Sequence, residues 1–144
     1  MDPLIGRFEH SLDSKGRLVL PARLRPPFEG IGGYLTKGPE GCVDLWPQDR
    51  FLRKVTELED QAENRLSRNM LRVFAATEHV TPDSQGRILV APYLMEFADL
   101  DPARVLVRGA IKTVQLWNPE RWEQLEAQAE ELLLNDQIDQ QEAS

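Results

Sequence analysis

The chain has 144 residues, 41% of them hydrophobic, and carries 17 Lys+Arg against 24 Asp+Glu for a formal charge of −7. That length suits one compact domain, or two small modules sharing a core, without metal or disulfide staples. One cysteine excludes an internal disulfide, one Cys with two His excludes an intrachain Cys/His zinc site, and the acidic balance on its face disfavours nucleic acid and anionic membrane surfaces.

The expected setting is the cytoplasm. Met1-Asp2-Pro3-Leu4 lacks the basic and apolar regions of a signal peptide. Asp2 excludes N-myristoylation, and Glu142-Ala143-Ser144 offers no prenylation site. No apolar run approaches the ~18 residues of a membrane span.

In chain order, a strand at Arg7–Leu12 runs into Asp13-Ser14-Lys15-Gly16-Arg17, and an apolar strand follows at Leu18–Leu20. Pro21 opens a helical turn at Ala22–Arg25; proline suits a helix start because its missing N–H is not needed there. Gly30-Ile31-Gly32-Gly33 reads as a loop before a strand. It lacks the Gly-x-x-x-x-Gly-Lys-Ser/Thr pattern of a phosphate loop and leads into no helix. Strands at Tyr34–Lys37 and Val43–Trp46 flank a Gly-containing turn. A helix spans about Gln48–Phe74, with Phe51, Val55, Leu58, Ala62, Leu66 and Met70 stepping by three or four, and room for a break near Asp60–Ser67.

The pattern then starts again. Strands at Thr77–Thr81 and Ile88–Val90 bracket Asp83-Ser84-Gln85-Gly86-Arg87, and a Pro92-led turn covers Tyr93–Ala98. Strands at Val105–Arg108 and Val114–Trp117 lead to a helix over Pro119–Leu134. Trp122, Leu125, Ala129 and Leu132 form its apolar stripe, with acids mostly opposite. Asn135–Ser144 is a polar tail, expected to be frayed or disordered.

The repetition is real at the level of residues. Asp13–Leu24 aligns with Asp83–Leu94 at an offset of 70, with five of twelve positions identical and three more exchanging aliphatics. Leu35-Thr36-Lys37-Gly38 matches Leu106-Val107-Arg108-Gly109, and Val43-Asp44-Leu45-Trp46 matches Val114-Gln115-Leu116-Trp117, both at an offset of 71. The chain therefore divides into modules at 5–60 and 77–134, a helical connection at 61–76 and a tail at 135–144. Four short strands cannot close a core alone. The expected fold is mixed α+β, one intramolecular pseudo-dimer with a shared β core and two appended helices.

Charge is divided unequally between these segments. Residues 1–37 hold six basic and four acidic side chains, a net of +2; residues 38–118 hold ten and twelve, a net of −2. Residues 119–144 hold Arg121 against eight acids, a net of −7. The body is neutral, so the overall acidity does not by itself argue against a phosphate partner.

Asp-Ser-x-Gly-Arg has a clear physical logic. The Asp side chain can accept backbone N–H bonds in an Asx turn. The Gly can take φ > 0 without steric cost. The plainer reading is a β-turn whose Asp and Arg pair with each other. Lys15 at the first tip, with Arg7 and Arg23 near in sequence, favours a functional one, whereas the second tip carries neutral Gln85.

The paired Asp-x-x-Gly-Arg turns, the Leu-Pro and Ala-Pro segments after them, and Leu-Trp-x-x-x-Arg-Phe/Trp at the two helix starts resemble the MraZ family. The resemblance spans about residues 5–134. Ala91 is a departure, since Pro is frequent there; it affects only the helix start. The resemblance implies two fused AbrB/SpoVT-like copies in a swapped-hairpin β-barrel with appended helices. It also implies a bacterial transcription regulator encoded at the head of a division and cell-wall gene cluster. Such a protein binds G-rich direct repeats upstream of its own operon, most simply as a repressor, and forms a ring homo-oligomer, an octamer by this likeness. It carries the DNA-contacting element onto Asp13, Gly16 and Arg17, and onto Asp83, Gly86 and Arg87, with Lys15 as a basic tip.

On that reading the partner is double-stranded DNA at the nucleoid. Arg17 reads guanine through two parallel hydrogen bonds, Asp13 fixes the turn, and Lys15 and Arg7 contact phosphates. Arg87 is either a second reader or a structural copy. The alternative is an assembly or protein-interaction module of the same fold that does not bind DNA. No catalytic residues, cofactor, metal or small-molecule substrate are expected, because no nucleophile has a base and orienter in motif. His10 and His79 read as strand histidines, Cys42 as a packing or turn residue, and Trp46 and Trp117 as helix anchors.

Overall fold

The computed structural model describes residues 2–143, with all side chains except those of residues 138, 139, 142 and 143. The first half contains β1 (Arg7–His10), β2 (Arg17–Val19), two single-turn 3₁₀ helices (Ala22–Leu24 and Pro26–Phe28), β3 (Gly33–Lys37), β4 (Val43–Pro47), α1 (Gln48–Asp60) and α2 (Arg65–Phe74). The second half contains β5 (Glu78–Val80), β6 (Arg87–Leu89), α3 (Pro92–Phe97), β7 (Val105–Gly109), β8 (Val114–Trp117) and α4 (Pro119–Ala143).

The two halves exchange their first strands. Six strands form one sheet in the order β1-β7-β8-β4-β3-β5, so β1 lies on the second half's β7 and β5 on the first half's β3. The halves meet where β4 pairs antiparallel with β8, Asp44 facing Gln115. β2 and β6 leave the sheet and pair only with each other, Arg17 facing Leu89, Leu18 facing Ile88 and Val19 facing Arg87. The strand pairings form an open row with β1 and β5 at its edges, plus this separate ribbon; they do not close a barrel among the described residues.

Period-two alternation drives the ribbon onto the sheet. Leu18 and Ile88 point inward and are buried, whereas Val19 and Leu89 point outward. The inner residues join a core drawn from both halves, including Leu20, Phe28, Leu45, Val90, Leu94 and Leu116. Each such side chain is worth about 1.5–3 kcal/mol when fully buried. Neither half could bury these faces alone, which is why the repeat folds as one unit.

The helices show where sequence periodicity misleads. A break at residues 61–64 separates α1 from α2, and the Asn64 side chain caps α2 by accepting from the Leu66 and Ser67 amides at 2.8 and 3.4 Å. The break shifts the phase of the apolar stripe. Leu66, expected inside, is 62% exposed, and Ser67 is buried in its place. Tyr34, Trp46, Phe51 and Phe74, with Leu58, form an apolar cluster that ties α2 back over α1 and the sheet. At the chain's end, α4 runs to Ala143 instead of stopping at Leu134 with a frayed tail. Its first turns pack on the body, Trp122 and Leu125 near Trp117, whereas Ala129 and Leu132 of the expected stripe are exposed. No helix is long and apolar enough to cross a membrane among the described residues.

Candidate nucleic-acid interface

The two Asp-Ser-x-Gly-Arg turns have the same geometry. In the first, Asp13 Oδ1 accepts from the Lys15 and Arg17 amides at 2.9 Å each, and Oδ2 accepts from Arg17 Nε at 2.8 Å. In the second, Asp83 Oδ1 accepts from the Gln85 and Arg87 amides at 2.9 Å each, and Oδ2 accepts from Arg87 Nε at 2.8 Å. Gly16 and Gly86 both sit at φ +78°, a left-handed conformation that selects glycine. Hydrogen bonds from the Arg17 and Arg87 amides are the main cause that holds the two carboxyls below the ordinary aspartate value of 3.8.

Each arginine is thus held at Nε and at its backbone, while its two Nη groups make no hydrogen bond among the described residues. The Asp–Arg pairing expected of a plain turn is present, but it occupies only one edge of the guanidinium. The other edge keeps the fork that suits two parallel acceptors.

The ribbon sets the two turns against each other. The Leu20 amide donates to the Gly86 carbonyl at 2.9 Å, and the Val90 amide donates to the Gly16 carbonyl at 3.0 Å. Each turn is therefore fastened by the opposite half. Alternation puts Arg17, Val19, Arg87 and Leu89 on one outward face, with each arginine opposite an aliphatic. Arg17 and Arg87 occupy diagonal positions, about 7–8 Å apart by strand geometry. Val19 is 39% and Leu89 57% exposed. These two are missed when the motif is read alone; alternation about Leu18 and Ile88 is the signal that could have found them.

Lys15 is exposed at the first tip, as its position implies. Arg7 is not part of this surface. It sits at the far end of β1 from the turn, and its Nη1 lies 3.2 Å from both carboxylate oxygens of Glu126 in α4. Arg25, counted only as a charge in the sequence, lies against Gly86.

The remaining candidates fall elsewhere. His10 is half-buried on β1, and His79 Nε2 lies 3.0 Å from the Ile31 carbonyl and from Gln48 Oε1. Buried Cys42 donates to Asp44 Oδ1 at 3.4 Å; burial and the Asp44 charge push its thiol well above its ordinary range. Asp44 itself is pushed up to about 6 by burial, against bonds from Cys42 and Gln115. Gln115 links onward, accepting from Arg108 at 2.6 Å and Trp117 Nε1 at 2.8 Å, and Arg108 stacks over Trp122 at 3.9 Å. This network joins the two halves and seats α4. Trp46 and Trp117 anchor their helices as expected.

The family model described as "MraZ protein, putative antitoxin-like" matches twice, over residues 4–73 and 73–141. The chain is similar to "Transcriptional regulator MraZ" of Thermomicrobium roseum, with 42% identity over 122 residues, 82% of this chain and 83% of the relative. The protein of the same name from Desulforamulus reducens is 40% identical over 131 residues, 88% and 89% of the two chains. That from Bifidobacterium longum is 37% identical over 130 residues, 89% and 85%.

Proposed function

The chain belongs to the MraZ family, and from that premise we propose that it is a DNA-binding transcription regulator that represses its own division and cell-wall operon. One observation carries this reading. Two arginines, each braced through Nε by an aspartate, stand on one exposed face of a two-stranded ribbon. Such a ribbon fits the major groove, about 12 Å wide, where Arg donates in parallel to guanine O6 and N7. Their diagonal of about 7–8 Å matches roughly two base-pair rises of about 3.4 Å. Val19 and Leu89 beside them suit apolar contact with thymine methyls. Lys15 contacts phosphate, which positions without specifying. Arg7 holds α4.

The operator is a set of G-rich direct repeats, bound by a ring homo-oligomer that presents the ribbon several times. Avidity of up to about 10²–10⁴ follows when repeats and ribbons align. The protein acts in the cytoplasm at the nucleoid, by binding and not by catalysis. The exchange of β1 and β5 between modules 5–60 and 77–134 is read as the swapped hairpin of the AbrB/SpoVT type, with 61–76 as connection. A second reading, an assembly or protein-interaction module, is favoured by the exposed stretch of α4 over residues 127–137.

The test is an electrophoretic shift with DNA from upstream of its own gene at several salt concentrations. Binding should be retained against random competitor and lost when guanines in the repeats are replaced. Equal binding to repeat and random DNA overturns the reading and favours the second.

A further inference from the structure

Two turns with the same internal hydrogen bonds rest on different foundations. A Cβ built on Gly86 would collide with Cζ and Nε of Arg25 and lie 2.7 Å from its Nη2. At Gly16, chain neighbours aside, the nearest atoms to such a Cβ are the Val90 carbonyl oxygen at 3.5 Å and Leu89 Cδ1 at 3.8 Å, with no guanidinium from elsewhere in the chain within 4 Å. Arg25 Nη2 donates to the Leu20 carbonyl at 2.7 Å, and the Leu20 amide in turn donates to the Gly86 carbonyl at 2.9 Å. Arg25 Nε is buried without a partner among the described residues. Seventy positions on, the residue is Met95, which packs on the core. The tips differ in the opposite sense: Lys15 at the first, neutral Gln85 at the second.

From this we propose that Arg25 is a positioning residue for the second turn: its guanidinium supports the Leu20–Gly86 link from behind, so that Arg87 is presented to DNA by a different means from Arg17. The inference rests on the DNA-binding reading and deepens it. The planar guanidinium lies against Gly86 where a Cβ would stand, and lysine, a point charge on a flexible stem, does not reproduce that support. It also places a positive charge behind the turn whose tip has none. The two half-surfaces are therefore unequal despite matching motifs, and Arg25 favours the second without touching bases.

The test uses the full chain with Arg25→Met, which inserts the residue of the matching position, and with Arg25→Lys, which keeps the charge and loses the fork. Amide hydrogen exchange without DNA is the first readout. Exchange should quicken at 83–88 and stay unchanged at 13–18. The second is a pair of double-mutant cycles in binding to the upstream DNA. Arg25→Met should weaken binding about tenfold. Its effect should largely vanish in an Arg87→Ala background and multiply fully with Arg17→Ala. Arg25→Lys should show the same pattern at smaller amplitude, and it carries the cycles if Arg25→Met does not fold. Equal exchange changes in both turns, or equal coupling to both arginines, overturns the proposal. If the parent binds no upstream DNA, the DNA reading falls along with the binding part, and hydrogen exchange alone decides whether Arg25 supports the second turn.

Discussion

Leu18 faces Ile88 across the centre of the β2–β6 ribbon, and both side chains are almost fully buried. This one pair fixes the face on which the neighbouring residues emerge. With both centres turned inward, Arg17 and Arg87 turn outward together. Replacing either arginine with alanine should therefore reduce discrimination for guanine, by about 1–3 kcal/mol for a bidentate contact. Lysine should not restore it, because a single ammonium lacks the fork. Competition binding with guanine-substituted repeats measures this, and an Arg17→Ala protein that discriminates like the parent contradicts the assignment.

Gly16 and Gly86 share a φ of +78° but not their surroundings. Alanine at either should destabilise the fold by about 1 kcal/mol or more through backbone strain. Gly86→Ala should cost more, because its methyl meets the Arg25 guanidinium. In an Arg25→Met background the two alanine variants should draw together. Urea denaturation of the four alanine variants, the parent and Arg25→Met gives the comparison.

Asp44 makes stability depend on pH in an unusual direction. Burial raises its pKa from 3.8 to about 6, so between those values the folded state binds more protons than the unfolded chain. Stability then falls as pH rises from about 4 to about 6 and stays at the lower value above. A shift of about two units corresponds to about 3 kcal/mol. Asp44→Asn should match the parent near pH 4 and be more stable at pH 7 by up to about 3 kcal/mol. Asp13 and Asp83 act the other way. Their lowered pKa values contribute stability that is lost as pH falls below the ordinary 3.8. Denaturation midpoints across pH 3–8 for parent and variant separate the two effects; a parallel pair of curves would refute the role of Asp44.

Arg104 bridges Glu9 and Glu120 at 3.3 and 2.8 Å, and Arg7 reaches Glu126. α4 therefore runs along β1 away from the Asp13 turn, carrying its acids from the ribbon. A photo-crosslinker at residue 15 should label bound DNA, and one at residue 132 should not. Lys15→Ala should weaken all sequences alike and reduce the salt slope by about one phosphate contact.

Much of this is legible in the residues alone. The turn chemistry was local: an aspartate, a glycine three residues on and an arginine next suffice to specify the Asx turn and its positive φ, because all its bonds fall within five residues. Strand positions followed from apolar alternation to within two residues, whereas the phase of α2 and the length of α4 did not follow from theirs. The repeat implied that two halves share a core. Where only a long-range contact decides, the residues were silent. Nothing local tells exposed Lys15 from Arg7, whose Nη1 is taken by Glu126, 119 residues away. The phase of α2 depended on a cap at Asn64 that the apolar stripe overran. The outward face shared by Arg17, Val19, Arg87 and Leu89 exists only because β2 pairs with β6. Arg25 gained its place beneath Gly86 because the two halves are interleaved. Local chemistry is enough to specify the shape of each turn; which turns stand together and what stands behind them follow from burial and pairing across the repeat, which are properties of neither half alone.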